Sequence, residues 1–401
     1  MSLPTPIPLE EAHARLLSAV EPLGAEIIGV EKALGRYLAE PLLARRTQPA
    51  ADLSAMDGYA MRADDLSGPW TVVGESAAGH PFQGSLETGQ AVRISTGAHM
   101  PEVGGAVLLQ EEATRAGDQL ALTEGGEATP RHIRRKGFDF SEGDALLRAG
   151  EPIGPPQVAL ALSAGQREIP AGKLPSVAIL DSGDELATDP AACAIHQIPA
   201  SNGAMLKAMV RPYASDVNRL GPVADTMTAF ETALARCEDV DVLITSGGAS
   251  VGDHDLVRPA LEAWGAQIDF WRVAMKPGKP LLIARRGRQW IVGLPGNPVS
   301  SYVTAYLFVL PLLRALAGAS QAVPQAIAAQ CTSPLPATGS RAEFVRARWE
   351  GPHLAAIGEQ DSSALGALSR ADALIYRSAN SPPLEAGERV AAYLLENGGI
   401  A

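Results

Sequence analysis

The strongest constraint on the fold lies between about residues 175 and 316, where apolar runs alternate with helical periodicity. Residues 176–180, Ser-Val-Ala-Ile-Leu, form a continuous apolar run that is typical of a strand buried on both faces. Further apolar runs cover residues 240–245, 268–273, 281–284 and 290–294. Helical spacing is found at residues 203–213, 226–237, 256–264 and 299–316. Strands that alternate with helices predict an α/β domain with a mostly parallel sheet.

Regions that are predicted to form β-strands flank this segment. From about residue 70 to 150, short apolar runs alternate with Gly, Pro and Asp turns, which predicts an all-β module. Its predicted strands are residues 70–73, 91–94, 106–109 and 120–123. Beyond about residue 324, strands are predicted at residues 342–349, 353–357, 373–377 and 389–395, which indicates a small terminal β domain. Apolar residues at helical spacing predict an amphipathic first helix over residues 9–20.

Composition excludes several classes of protein. A hydrophobic content of 46% over 401 residues fits a globular chain of several domains. The net charge of −12 argues against nucleic acid or a membrane surface as a partner, because both are polyanions. Cys193, Cys237 and Cys331 lie far apart and predict neither disulfides nor a zinc cluster. We expect a cytoplasmic protein, since no signal-peptide stretch is present, and interpret residues 299–313 as a buried core helix rather than a membrane span.

Two loops that follow predicted strands carry polar residues. Ligands bind at the carboxyl ends of strands in open parallel sheets. After residue 180 the chain reads Asp-Ser-Gly-Asp-Glu-Leu, which could form a lip for hydrated Mg²⁺ or a solvated turn. Residues 245–255, Thr-Ser-Gly-Gly-Ala-Ser-Val-Gly-Asp-His-Asp, let the backbone approach a phosphate, and Asp255 could contact a metal. A generic glycine turn is the alternative, because neither a Walker loop nor a dinucleotide fingerprint is present.

Basic and proline-rich segments give further candidates for an anion site. Lys276 and Lys279, in Lys-Pro-Gly-Lys-Pro, form a stiffened cationic clamp suited to phosphate or molybdate, unless they are only solvated surface lysines. Residues 293–300, Gly-Leu-Pro-Gly-Asn-Pro-Val-Ser, open the long apolar helix, so their amides either face an anion or make a rigid helix start. Residues 131–136 are the densest basic run, which lies on a solvated face or completes a cleft.

Asp57 stands in the context Ser-Ala-Met-Asp-Gly-Tyr, among small and apolar residues. Burial there could raise the pKa of its carboxyl group, or a metal could hold the carboxylate ionised. Composition does not choose between these two states.

Seven strings in order carry a resemblance to a known family. They read SAMDGYA, STGAHMP, RRKGFD, DSGDEL, GGASVGDHD, KPGKP and GLPGNPVS. Over residues of about 9 to 398 the chain resembles the MoeA family of molybdopterin molybdenumtransferases, which includes the E domain of gephyrin. The resemblance implies a multidomain α/β plus β fold and a homodimer of elongated four-domain subunits.

The domains that the resemblance implies agree with the predicted helices and strands described above. Residues 1–48 with 140–172 would form a linking domain, and residues 49–139 a β-rich inserted domain. Residues 173–322 would form a MogA/MoaB-like three-layer α/β domain that binds molybdopterin, against which the first helix packs. Residues 323–401 would form a small β-barrel-like domain.

The reaction implied by the resemblance joins two anions. Adenylylated molybdopterin and molybdate would react with Mg²⁺ present, leaving molybdenum on the dithiolene and releasing AMP. The partners would be a MogA/MoaB-type adenylyltransferase and molybdoenzyme apoproteins. Two alternatives are an adenylyltransferase-like activity and a non-catalytic scaffold that binds molybdopterin.

The resemblance also implies residue roles. Catalytic residues are expected at Asp57, Asp184, Glu185 and Asp255, of which the last three would hold the metal. Because Asp57 lies outside the α/β segment, it would reach the site from the facing subunit. The substrate-binding residues would be Thr96, Arg134, Arg135, Ser182, Gly183, Asp225, Gly247, Gly248, Ser250, Lys276, Lys279, Pro295 and Ser300.

The chain departs from the family pattern at four places. Phe138 replaces a glutamate, and Leu53 an asparagine or arginine. The loop usually written Tyr-Asp-Ser/Thr-Asn reads Pro-Ala-Ser-Asn at residues 199–202. Asp181 replaces a serine or threonine, which adds a negative charge beside an anion site.

Overall fold

The computed structural model describes residues 5–247 and 256–395, apart from the side chain of Trp271. Helix α1 (Leu9–Ser18) follows Pro8 and carries two glutamates in its first turn, where carboxylates oppose the positive end of the helix dipole. Its buried side chains, Leu9, Ala12 and Leu16, join the core of the α/β domain. The predicted first helix is therefore confirmed. It packs against residues of the α/β domain that are far from it in the sequence.

The inserted region is built of strands, as predicted. After β1 (Ala25–Gly29) and β2 (Leu42–Leu43), the chain forms β3 (Leu53–Ser54), β4 (Gly58–Arg62), β5 (Trp70–Ser76), β6 (Gln90–Ile94), β7 (Gly104–Leu109), β8 (Ala113–Ala116), β9 (Gln119–Leu122) and β10 (Ile133–Arg134). Six of them form one sheet in the order β7-β4-β6-β5-β9-β8, and β3 pairs with β10. A compact core that includes Trp70 and Leu108 stabilises this sheet.

The chain then returns to the first two strands. Strand β11 (Ala145–Leu147) pairs with β2, and β12 (Glu168–Gly172) pairs with β1. Between them lies helix α2 (Pro155–Ser163), which the sequence analysis did not predict. Its prolines occupy the first helical turn, where no backbone donor is needed, and Gln157 Oε1 accepts a 3.1 Å hydrogen bond from the Gly154 amide.

A mostly parallel sheet forms the α/β domain, as predicted. Its strands run in the order β16-β13-β17-β21-β20-β18. The first four are parallel to one another, whereas β20 pairs antiparallel with both β21 and β18. The strands of this segment are β13 (Ser176–Ser182), β14 (Leu186–Ala187), β15 (Ile198–Pro199), β16 (Asp216–Val223), β17 (Val242–Ser246), β18 (Gln267–Trp271), β19 (Met275–Lys276), β20 (Leu282–Arg286) and β21 (Gln289–Leu294).

Helices cover both faces of this sheet and give three layers. They are α3 (Asn202–Val210), α4 (Met227–Ala235), α5 (Val257–Ala263), α6 (Pro298–Thr304) and α7 (Leu310–Leu316). One core contains side chains of α1, α3, α6 and α7, and the opposite core contains side chains of α4 and α5. The predicted three-layer arrangement is therefore confirmed.

Residues 298–316 form a single apolar helix with a π-helical turn, Ala305–Val309, between α6 and α7. Length and composition alone would let this helix cross a membrane, yet 89% of its most apolar window is buried inside the protein. The prediction of a core helix is confirmed.

The terminal β domain shares its sheet with the α/β domain. Its elements are β22 (Ile327–Gln330), β23 (Ala342–Glu350), β24 (His353–Ala356), α8 (Leu365–Leu368), β25 (Ala373–Arg377) and β26 (Arg389–Leu394). The order is β19-β23-β25-β26-β22, with β24 also paired to β23. A bridge between Cys331, directly after β22, and Leu354 in β24 brings these two strands together, so β23, β25, β26, β22 and β24 close into a barrel-like sheet. Strand β19 lies parallel to β23, so the sheet crosses the domain joint.

Candidate functional site

A cavity of about 840 Å³ lies at the carboxyl end of the parallel sheet, where β13, β16, β17 and β21 end. Several predicted site residues line this first cavity: Ser182, Gly183, Glu185, Asp225, Gly247 and Pro295. Because parallel strands place their carboxyl ends at one edge, separate loops of the sequence converge there. The structure brings these loops together at one edge of the sheet, and the roles assigned to their residues stay predictions.

Carboxylates stand at the rim of the first cavity. The Asp225 amide donates to Asp184 Oδ1 at 3.1 Å, and the Asp184 amide lies 3.4 Å from Asp225 Oδ2. Glu185 and Asp225 line the cavity, and Asp184 is exposed beside them. Such oxygen ligands fit the preference of Mg²⁺ in kind. Asp255 lies outside the described residues, and within residues 5–247 and 256–395 no group of three potential ligands is placed to hold a metal.

Two buried hydroxyl groups lie at this edge: that of Ser182, which lines the first cavity, and that of Thr245 on the neighbouring strand. Ser182 Oγ and Thr245 Oγ1 are buried, and neither has a hydrogen-bond partner among the described residues. Gly247 has a φ of +97°, and a Cβ atom there would lie 2.5 Å from the Ser182 carbonyl oxygen, so only glycine fits this close approach. A buried hydroxyl without a partner is costly, which favours a polar ligand here. Gly248 and Ser250 lie outside the described residues.

Asn202 joins three loops of the first cavity and was not assigned a role from sequence. Its Nδ2 donates to the Gly296 carbonyl at 2.7 Å and to Ser246 Oγ at 3.0 Å. The side chain thereby ties the start of α3 to the end of β17 and to the loop that follows β21. The only signal in the sequence was its place in a family motif, because a lone asparagine is not otherwise informative.

Asp181 does not add an unbalanced charge, which corrects the expectation from sequence. Its side chain is 1% exposed, and its Oδ2 lies 2.9 Å from Arg219 Nε. Burial raises the pKa of the Asp181 carboxyl, and this effect is opposed by Arg219 and by the amide of Gly203. The partner is on β16, which lies beside β13 in the sheet but 38 residues away in the chain.

A second cavity, of about 460 Å³, lies between the α/β domain and the terminal β domain. The predicted residues Lys276, Lys279 and Ser300 line it together with Arg341, Asp361 and Ser362. Lys276 Nζ lies 3.4 Å from Glu343 Oε1. Pro280 lines both cavities, so the two are adjacent. Arg341 was missed because its region carries no recognisable motif.

Residues 359–365 separate the two cavities. Ser362 lines the second cavity and Ser363 the first. The buried Arg346 guanidinium donates to the carbonyls of Glu359 and Asp361 at 3.0 Å. The hydroxyl and amide of Ser363 hold the pKa of Asp361 below its usual range. Asn297 Nδ2 donates to Ser362 Oγ at 2.9 Å, so this partition is fixed from both domains.

The remaining predicted residues cluster in the inserted domain. Asp57 is exposed, so of the two states that the sequence left open, burial of its carboxyl group does not occur in this chain. The Thr96 amide donates to Asp57 Oδ1 at 2.7 Å and lowers the pKa of this carboxyl. Arg135 pairs with Asp52 at 2.6 Å, and Arg134 lies in β10 beside β3. Asp57, Thr96, Arg134 and Arg135 are absent from the residues found to line either cavity in the described part of the chain.

Phe138 and Leu53, two of the departures from the family pattern, flank this cluster. Phe138 is 74% exposed. Leu53 pairs with Arg134 across β3 and β10. Neither residue lines one of the two cavities.

Comparison with known proteins gives matches over nearly the whole chain. Residues 7–165 match the MoeA N-terminal region (domains I and II), residues 178–315 a probable molybdopterin binding domain, and residues 328–395 the MoeA C-terminal region (domain IV). A molybdopterin molybdenumtransferase of Haemophilus influenzae is 34% identical over 95% of this chain and 97% of its own length. One from Staphylococcus aureus is 29% identical, over 98% and 96%.

A solved structure agrees with these sequence matches. The crystal structure of a molybdopterin biosynthesis MoeA protein from Pyrococcus horikoshii OT3 superposes with a TM-score of 0.83 at 26% identity. The superposition covers 97% of this chain and 100% of that one. All the regions described above therefore have counterparts in one known fold.

Proposed function

The chain belongs to the MoeA family of molybdopterin molybdenumtransferases, transferases of molybdenum cofactor biosynthesis, and on this premise we propose that it inserts molybdate into adenylylated molybdopterin with release of AMP. The observation that carries the proposal is the adjacency of two unlike cavities that share Pro280. The first cavity is lined by carboxylates and the unpaired hydroxyl group of Ser182, and the second is lined by cationic side chains. Both substrates are anions, so their approach requires fixed positive charge at the point where they meet.

In this proposal the first cavity holds the pterin nucleotide. Ser182 Oγ would donate to a phosphate oxygen, and Gly247 would let the backbone approach it. Gly183 and Pro295 would shape the wall, with Gly248 and Ser250 as further predicted contacts. The apolar part of the lining, which includes Leu186, would accept the flat ring and exclude water.

The second cavity would hold molybdate. Lys276, Lys279 and Arg341 supply positive charge, and Ser300 supplies a hydroxyl group. Glu343 pairs with Lys276 and so restricts where that ammonium group can point. The partition at residues 359–365 would orient the oxyanion toward the first cavity, since its serines face both sides.

The carboxylates at the rim would hold Mg²⁺. Asp184, Glu185 and Asp225 would bind the ion through its waters, and Asp255 would be the further ligand that the sequence predicts. When bound, the ion would neutralise charge on the phosphoryl oxygens. The mutual amide contacts of Asp184 and Asp225 keep the two loops in fixed register for that purpose.

The proposal includes a homodimer in the cytoplasm. Asp57, held ionised by Thr96, would enter the site from the facing subunit with Arg134 and Arg135. Support comes from their exposure on a domain whose residues do not contribute to the described cavity linings. The three free cysteines fit a reducing compartment. A MogA/MoaB-type adenylyltransferase would supply the substrate, and molybdoenzyme apoproteins would receive the product.

The test follows AMP release from adenylylated molybdopterin by the purified chain with Mg²⁺ and micromolar molybdate. We expect molybdate-dependent AMP, and a rate reduced by about 10² or more in Asp57→Ala. Asp118→Ala, which removes another exposed aspartate of the inserted domain, is the matched control. Absence of molybdate-dependent AMP from the wild type would refute the function, and equal rates for Asp57→Ala would refute the role of Asp57. ATP consumption dependent on molybdopterin would favour an adenylyltransferase, and failure to bind molybdopterin would favour a scaffold.

A further inference from the structure

Arg219 contacts both a carboxylate and a backbone carbonyl beside the first cavity. Its Nε donates to Asp181 Oδ2 at 2.9 Å, and its Nη2 donates to the Ala200 carbonyl at 2.6 Å. The planar guanidinium thus spans a buried carboxylate on β13 and the backbone of residues 198–202, here called the lip segment. Asp181 and Ala200 both differ from the family pattern, and the Arg219 side chain contacts both of them.

The lip segment belongs to the wall of the first cavity. Ile198, Pro199, Ala200, Ser201 and Asn202 all line it. Most of these side chains are exposed, so the segment has little core of its own to hold it. Its described attachments include the Arg219 contact, the short pairing of β14 with β15, and the side chain of Asn202.

The ion pair also fixes the start of α3. The Gly203 amide donates to the Asp181 carboxylate. Asn202 directly precedes Gly203, and its side chain donates hydrogen bonds to Gly296 and Ser246. The contact between Gly203 and Asp181 therefore also fixes the position of Asn202. A chain of contacts therefore runs from Arg219 through Asp181 and the start of α3 to the end of β17 and the loop that follows β21.

We propose that Arg219 is a positioning residue, which with Asp181 sets the lip segment and Asn202 in the geometry that binds the pterin nucleotide. This inference rests on the proposed function for the identity of the ligand, but not for the anchoring itself. Lysine would keep the charge opposite Asp181, yet its single ammonium group lacks the planar fork that reaches two acceptors in fixed directions. Arg219→Lys therefore keeps a positive charge opposite the buried Asp181 carboxylate but removes the second contact, which holds the lip segment.

Arg36 offers a matched control. Its Nη2 pairs with Glu26 at 2.5 Å and also donates to the Gly172 carbonyl at 2.6 Å, so it too joins a carboxylate to a backbone oxygen. It lies in the β1–β12 region and lines neither cavity. Arg36→Lys makes the same chemical change away from the site.

The first measurement is amide hydrogen exchange on the free protein. We expect exchange in the lip segment to be at least about tenfold faster in Arg219→Lys than in wild type, with β13 and β16 unchanged. Arg36→Lys should leave the lip segment unchanged. Equal exchange of the lip segment in wild type and Arg219→Lys would overturn the inference, whether or not the protein proves to be a molybdenumtransferase.

The second measurement separates affinity from turnover. With adenylylated molybdopterin as the varied substrate, Arg219→Lys should raise KM by about tenfold and leave kcat within about twofold. An unchanged KM would overturn the inference, as would an equal loss in Arg36→Lys. If the wild type releases no AMP, the proposed function fails, and the Kd for molybdopterin then replaces KM as the readout with the same expected ratio.

A double mutant tests whether the two residues act as a unit. Asp181→Asn combined with Arg219→Gln should raise KM by less than the product of the two single effects, because each single change leaves a partner without its counter-charge. Strictly multiplicative effects would show that Arg219 acts without Asp181 and would overturn the paired assignment.

Discussion

The Asp181 carboxylate occupies the space into which a side chain at position 203 would project. A Cβ atom built on Gly203 would overlap Asp181 Oδ2 and would lie 2.6 Å from Arg219 Nε. The glycine at the start of α3 is therefore required by an ion pair on neighbouring strands rather than by its own backbone angles. The buried charge, its partner and this glycine form one packing unit.

We expect Gly203→Ala to weaken both stability and substrate binding. The new methyl group must push apart Asp181 and Arg219, and the carboxylate is too buried to rotate into water. Overpacking of this kind costs about 1–3 kcal/mol of unfolding free energy. Thermal unfolding and KM for the pterin nucleotide would be measured together. Gly29→Ala is the matched control, because a Cβ atom there meets nothing within 4 Å and Gly29 has an ordinary φ of −58°. A fully stable Gly203→Ala protein with normal KM would contradict the packing argument.

Lys279 should govern the affinity for molybdate. Lys279→Met removes one cationic group of the second cavity while keeping much of the side-chain volume. We expect the molybdate concentration that gives half-maximal AMP release to rise by about tenfold or more, because each lost charge-assisted contact costs about 1.5–3 kcal/mol. KM for the pterin nucleotide should change much less. Lys173→Met, at an exposed lysine outside both cavities, should behave as wild type. An unchanged molybdate titration in Lys279→Met would argue that molybdate binds elsewhere.

His13 should make the fold less stable in mild acid. Its Nε2 lies 2.8 Å from the Leu307 carbonyl oxygen in the π-helical turn, and burial lowers the pKa of its imidazole from the ordinary value of 6.5. The unfolded chain therefore binds a proton more readily than the folded one. The associated stability is present above about pH 6.5 and is lost as the pH falls toward the depressed value of the folded state.

Thermal unfolding between about pH 7 and about pH 5 measures this dependence. His13→Gln keeps a donor for Leu307 but does not titrate, so its melting temperature should fall less over that range than that of wild type. His80→Gln, at an exposed histidine, should follow wild type. Parallel curves for wild type and His13→Gln would contradict the prediction.

The three thiols should differ in reactivity. Cys237 and Cys331 are fully buried, and burial raises the pKa of the Cys237 thiol to about 11. Cys193 is only partly buried. Because the thiolate is the reactive form, a disulfide reagent at mildly alkaline pH should label about one thiol in the folded protein and all three after denaturation. Cys193→Ser should abolish the fast reaction. A second thiol that reacts at the same rate would show that one of the buried sites opens readily.

Much of the fold could be predicted because its periodicity is local. The run at residues 176–180 became the buried strand β13, and the stretch at residues 299–316 became the helix that packs under the sheet. Helix α2 was missed because only about two turns separate its two prolines from the next glycine, and their mostly apolar residues show no helical periodicity. The face of α2 that is buried is set by the packing of Ala161 against the neighbouring core, and the sequence does not reveal this contact.

The site was less predictable, since its residues meet only after the strands are ordered. The loop glycines and lysines could be identified one loop at a time, and the sheet places them at two adjoining cavities. Asp181 was misjudged because its counter-charge comes from Arg219 on the neighbouring parallel strand. Arg341 and the partition residues were missed because they come from the terminal β domain, whose contact with Lys276 depends on the pairing of β19 with β23.

That pairing also bears on how the protein could have been assembled in evolution. Since β23 supplies the hydrogen-bonding neighbour of Met275 and Lys276, the joint between the two domains runs through a sheet and not through a linker. Exchange of the terminal domain by recombination would leave this edge unpaired unless the incoming domain carried a compatible strand. Residues 276–280, which carry Lys276 and Lys279, and the terminal domain are therefore expected to be inherited together, as one exchangeable unit.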